Sequence, residues 1–107
     1  MKLQFSPLAF EDLQEIKEYI SAELENPSAA QHTLSRILKS IRSLINFPES
    51  GAPLSSVVDI QTDYRFVISG GYIVFYRHDS NAVFIVRVLY GKRDYMPILF
   101  GKQSIEE

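Results

Sequence analysis

Apolar residues recur through the first half of the chain at helical spacing. Ala9, Leu13, Ile16, Ile20 and Leu24 follow at intervals of 4, 3, 4 and 4, one stripe of a helix. Ser6 and Pro7 start that helix, with a hydroxyl at the cap and a proline where its missing N–H costs nothing. Glu11, Asp12, Glu15 and Glu18 fill its acid-rich remainder, the earlier ones near the favourable positive end of the helix dipole. "ENPS" breaks the pattern, and Asn26 or Ser28 can cap a second helix. Ala30, Leu34, Ile37, Ile41 and Leu44 then form a second stripe, which stops at "FPESGAP". Two amphipathic helices joined by a short break predict an antiparallel hairpin.

The period changes after residue 60. "DYRFVI", "YIVFYR" and "AVFIVRVLY" are rich in aromatic and β-branched residues, with "SGG" and "HDSN" as turns between them. They predict three consecutive antiparallel strands. "KLQF" at the start alternates and predicts a short first strand. The expected order is β-α-α-β-β-β, an α+β fold with an N-terminal helical hairpin packed on a small antiparallel-rich sheet. These strands are apolar on both faces in part, so the face away from the helices cannot be wholly solvated.

Length makes this one domain, residues 1–107. No apolar run approaches the roughly 18–20 residues of a membrane span, and the N-terminus lacks the pattern of a signal peptide. The absence of cysteine removes disulfides, thiolate nucleophiles and thiolate metal sites, and fits a reducing cytosol. Charge is unevenly placed. Residues 1–59 hold five basic and eight acidic side chains, residues 60–102 six basic and three acidic. The second half is locally basic, which bears on partners rather than on fold.

Candidate chemistry is sparse. His32 and His78 have no ligand partner at helical spacing, so no metal site is expected, and no cofactor. "SGGY" precedes a strand rather than a helix, so it is a hairpin turn and not a phosphate loop. Arginines inside apolar strands are the remaining signal. Alternation places Arg87 on one face with Val83, Ile85 and Leu89. A guanidinium keeps its charge, so it needs water, a carboxylate or an anionic ligand. Two readings follow: an internal ion pair, or an anion- or partner-facing patch with Arg65, Lys92 and Arg93. Tyr90 and Tyr95 flank that patch, and basic plus aromatic side chains suit nucleic-acid contact as well as half-buried sheet faces.

Four segments in order, "FSPLAFEDLQEIKEYI", "FPESGAP", "DYRFVISGGYIVFYRH" and "RVLYGKRDYMPILF", resemble the ParE branch of the RelE/ParE toxin superfamily over residues 3–99. The resemblance implies the cytoplasmic toxin of a type II toxin–antitoxin pair, causing growth arrest and serving plasmid stabilization. It implies neutralisation by a cognate antitoxin protein, contact with operator DNA only through that antitoxin, and no membrane partner. A homodimer is compatible with it. RelE-like members cut mRNA on the ribosome, whereas ParE proteins act on DNA gyrase. RelE-like members carry an arginine directly after the tyrosine of the second meander strand, where this chain has Ile73 after Tyr72. Phe66 and Val67 follow Arg65 where further cations would help, and Tyr90 stands where relatives often have histidine. Gyrase inhibition is therefore the expected action. A RelE-like ribosome-dependent mRNA endoribonuclease and a non-toxic antitoxin-binding relic are the alternatives.

Toxicity or target-binding candidates are Arg65, Arg87, Tyr90, Lys92, Arg93 and Tyr95. Asp94 is placed to pair locally with Lys92 or Arg93. The apolar tail, Met96, Ile98, Leu99 and Phe100, either folds back over the seam between helices and sheet or forms a partner-binding patch.

Overall fold

Ser6 ties the start of the chain to its last strand. A computed structural model describes residues 1–23 and 25–101. In it the Ser6 hydroxyl accepts the Ala9 N–H at 2.9 Å, capping α1 (Pro7–Glu18), and donates to the Val86 carbonyl at 2.7 Å. The cap predicted from "SP" is thus also a tertiary contact. One π-helical turn, Tyr19–Glu23, continues α1 beyond Glu18. Ala9, Ile16 and Ile20 of the first stripe are buried; Leu24 lies outside the described residues. Asn26 caps α2 (Pro27–Asn46) through the Ala29 N–H at 3.0 Å, and Ala30, Ile37, Ile41 and Leu44 point inward as their spacing predicts.

β1 (Lys2–Phe5), β2 (Ala52–Pro53), β3 (Arg65–Ser69), β4 (Tyr72–His78) and β5 (Ala82–Tyr90) form one sheet in the order β1-β5-β4-β3-β2. β1 runs parallel to β5, and the other pairs are antiparallel. The expected α+β fold and its helical hairpin are present. Two elements are additional to the predicted order: the two-residue β2, followed by a 3₁₀ turn at Leu54–Ser56, and the short helix α3 (Tyr95–Phe100). Both are too short to carry a period that a sequence reading could detect.

The helix pair covers one face of the sheet, with Val74, Tyr76, Val83, Ile85 and Val88 beneath it. The opposite face carries a second core of Leu54, Phe75 and Leu89, over which Ile98, Leu99 and Phe100 pack. The tail therefore does not close the helix–sheet seam, as the first reading expected. It covers the far face, whose apolar residues had to be shielded by something.

A β-bulge also corrects the predicted alternation in β5. Phe75 pairs with Arg87 while Tyr76 pairs with Ile85, so Val86 is the extra residue. Val83 and Ile85 consequently leave the face of Arg87 for the helix-side core, while Leu89, beyond the bulge, keeps the predicted face and joins the far core.

"FPESGAP" is the joint between α2 and the sheet. The wholly buried Tyr76 donates its hydroxyl proton to the Pro48 carbonyl at 2.7 Å and accepts the Gly51 N–H at 3.0 Å. A Cβ on Gly51 would lie 2.6 Å from both the Phe66 carbonyl oxygen and that hydroxyl, so only glycine fits here. Tyr76→Phe should leave one buried donor and one carbonyl unpaired and cost about 2 kcal/mol by denaturant unfolding, with the fold retained. An unchanged unfolding midpoint would show that the hydroxyl adds nothing.

Candidate functional site

A groove of about 630 Å³ opens where the far ends of α1, β4 and β5 meet. Asp12, Glu15, Ile16 and Tyr19 enter it from α1 and the turn after it, spaced so that one helical face presents them together. Ile20, Ala29, Val88 and Leu89 supply apolar lining, and Thr33, Tyr72, Tyr90 and Arg93 complete it. Tyr72 and Tyr90 are cross-strand partners at the mouth of β4 and β5, their rings edge to face with centroids 5.8 Å apart. Just beyond, the Gly91 N–H donates to the Gly71 carbonyl at 2.8 Å and the Arg93 N–H to the Tyr90 carbonyl at 3.0 Å. These bonds turn the chain so that Arg93 stands at the groove.

Burial is the main influence raising the Tyr72 phenol pKa, helped by Tyr90 and then Tyr19. Tyr72 is therefore neutral at physiological pH and can donate a hydrogen bond. An apolar lining beside three tyrosines, one arginine and the Glu15 carboxylate, which is in neither ion pair of the described residues, suits a side chain inserted from a partner and oriented by polar contacts.

Asp12 braces this site. Its carboxylate accepts Arg87 Nε–H and Nη2–H, each at 2.8 Å, and the Val88 N–H at 2.9 Å. Asp12 is 5% exposed and the Arg87 side chain 16%. The two-pronged pair holds α1 to β5 just beyond the bulge. Of the two readings of Arg87, the internal ion pair describes its placement.

The other sequence candidates separate into groups. Arg65 sits at the far end of β3 from the groove. Its Nε and Nη2 donate to the Gly51 carbonyl at 3.1 and 2.7 Å, and Nη2 also reaches the Glu49 carbonyl at 3.1 Å. That arginine and Tyr76 together fix the "FPESGAP" joint. Tyr95 stacks obliquely on Phe75 with centroids 5.0 Å apart, on the far face of the sheet. Met96, Ile98, Leu99 and Phe100 are half-buried, and Phe100 stacks on Tyr64 with centroids 5.5 Å apart. Lys92 and Arg93 are exposed. Asp94 pairs with neither of them: among the described residues the ion pairs are Arg77–Asp63 and Arg87–Asp12.

The structure thus brings Tyr90 and Arg93 together and keeps Arg65, Arg87 and Tyr95 elsewhere. It adds Asp12, Glu15, Tyr19 and Tyr72 to the groove. Asp12 could have been noticed, since residues 12, 16 and 20 recur at one helical face, and a carboxylate on an apolar stripe needs a partner. Among the described residues no group of three or more His, Cys, Asp or Glu could hold a metal ion, and no helix is long and apolar enough to cross a membrane.

Two solved structures share this architecture. One, described as the chromosomal ParDE TA system from P. aeruginosa, aligns with a TM-score of 0.70 at 21% identity, over 84% of this chain and 95% of that one. The other, the RelBE2 toxin–antitoxin complex from Mycobacterium tuberculosis, aligns with a TM-score of 0.52 at 21% identity, over 83% and 95%. At that identity they speak for the fold alone. No match to a curated protein was found. Residues 3–95 match the model of the family described as the ParE toxin of the type II toxin–antitoxin system, parDE. With most of its length matched and its helical hairpin on a five-stranded sheet shared with those neighbours, the chain belongs to the ParE toxin family.

Proposed function

We propose that this chain is a ParE-like toxin that inhibits DNA gyrase, acts in the cytoplasm and is neutralised by a cognate antitoxin protein. The observation that carries the choice of target is where the arginines are spent. Cleaving RNA through its 2′-hydroxyl needs a base, an acid and cations free to meet the phosphate. Arg87 is bound to Asp12 on two prongs, and Arg65 is bound to the Gly51 and Glu49 carbonyls. Arg93 and Lys92 remain exposed, one beside the tyrosines and one next to it in sequence, which suits contact with a protein surface better than an assembled nuclease centre. The resemblance to solved toxin–antitoxin systems supports the antitoxin partner. Tyr90 and Arg93 are the side chains proposed to meet the target or the antitoxin at the groove, with Lys92 beside them. Met96, Ile98, Leu99 and Phe100 keep a partner-facing role only through the edges they leave exposed.

Purified protein should inhibit supercoiling by gyrase and leave ribosome-bound mRNA intact. Site-specific mRNA cuts with normal supercoiling would assign the nuclease reading instead. Loss of both with antitoxin binding retained would assign the non-toxic one. Arg93→Ala should lower supercoiling inhibition at least about tenfold, while its stability stays within about 0.5 kcal/mol of the parent, because the side chain is exposed and in neither ion pair of the described residues. Full inhibition by that variant would remove Arg93 from the contact.

A further inference from the structure

β3 is covered on its outer edge for only part of its length. β2 pairs with Arg65 and Phe66 and goes no further, so Val67, Ile68 and Ser69 have a strand on the β4 side alone. The Tyr64 carbonyl accepts the Leu54 N–H, which places it on that outer edge. Backbone groups alternate between the two edges of a strand, so the N–H and C=O of Phe66 and Ile68 face outward as well. Those of Phe66 meet β2, and those of Ile68 face no strand among the described residues. The chain's own Glu49 and Ser50 would be next in line to pair here, but the Ser50 N–H closes a turn onto the Phe47 carbonyl and leads them away.

The surroundings say what would fit. Arg36, Lys39, Ser40 and Ser43 of α2 border a hollow of about 450 Å³ with Ile68, Ser69 and Gly70. α2 contains Arg36, Lys39 and Arg42 and no acidic residue, and none of these cations is in either of the ion pairs of the described residues. The row lies on the helix side of the sheet. On the opposite side Ile68, paired with Ile73, is 66% exposed, unusual for an isoleucine within a strand. A guest strand on this edge would point alternate side chains to the two sides. Those on the α2 side would meet Arg36 and Lys39, and those on the other would lie beside Ile68.

We infer that the open edge of β3 receives an extended acidic segment of a partner protein, as a sixth strand whose side chains alternate carboxylate and apolar. Backbone bonds to Ile68 supply register, the α2 cations select the carboxylates, and Ile68 is covered by the apolar positions. A second copy of this chain does not fit, because edge-to-edge pairing would set two Arg36–Lys39 rows side by side. The surface is separate from Tyr90 and Arg93, so it holds whichever process the protein inhibits.

The test uses the full chain and a blocked nine-residue peptide alternating glutamate and valine. At saturation the Ile68 amide should exchange with solvent about tenfold more slowly. The same peptide N-methylated on its valines should lose that protection. Arg36→Glu with Lys39→Glu, both at exposed helix positions, should weaken binding about tenfold or more and leave the unfolding midpoint unchanged. A lysine–valine peptide should not bind. Binding without protection of Ile68, equal binding by the lysine peptide, or shifts confined to the tyrosine groove would each overturn the inference. So would a preference of the α2 row for duplex DNA with no binding of the peptide.

Discussion

Arg87→Ala should destabilise the protein by roughly 3–5 kcal/mol, the range for removing one partner of a buried ion pair. The reason lies in what stays behind. Asp12 is 5% exposed, and without the guanidinium it would keep one hydrogen bond, from the Val88 N–H, and no countercharge. For a domain with a typical 5–15 kcal/mol of stability, that loss is a large share of the total. Replacing both partners, Asp12→Leu with Arg87→Met, should recover part of the loss, since two apolar side chains leave no orphaned charge and only the Val88 N–H without its acceptor. Urea unfolding of the two single variants and the double one closes the cycle. If Arg87→Ala unfolds at the parent's midpoint, the pair is not structural and the arginine is available to a target. This result also governs how toxicity data are read: loss of toxicity in Arg87→Ala should follow loss of fold, whereas Arg93→Ala should lose toxicity while folded.

Ending the chain after Tyr95 should abolish cooperative folding or reduce stability by several kcal/mol. Ile98, Leu99 and Phe100 lie over Phe75 and Leu89, which are 0% and 2% exposed with the helix in place. Burying one such side chain fully is worth about 1.5–3 kcal/mol, and these are half-buried, so about 4 kcal/mol for α3 is a reasonable scale. Deletion would also open the far core to water. Circular dichroism with urea unfolding measures the outcome directly. A truncated chain that folds with unchanged stability but no longer binds its antitoxin would instead assign the tail to partner binding.

The two helices were legible because the apolar stripes, such as the one ending at Leu44, repeat at a helical period often enough to outweigh local noise. The three long strands were legible because runs rich in aromatic and β-branched residues are separated by turn signals. β2 and α3 were not legible, since their conformation depends on what they cover. The bulge at Val86 was invisible for a different reason: no residue type marks it, and it is held by Ser6, eighty positions away. Of the site, the basic and aromatic character of Tyr90 and Arg93 could be read from composition. That Arg65 and Arg87 are already engaged could not, because their partners are backbone carbonyls of a turn and a carboxylate seventy-five residues earlier.

The position of β5 has a consequence for synthesis. This strand, the last of the five to be made, lies between β1 and β4, accepts the Ser6 hydroxyl proton and donates to Asp12. Until Ala82–Tyr90 has emerged from the ribosome, the first strand has no neighbour and the helical hairpin lacks much of the surface it packs against. Such distant pairing makes completion of the fold a late, whole-chain event. An interrupted translation product should therefore be unfolded and open to proteases, and a folded molecule arises only once synthesis has passed β5.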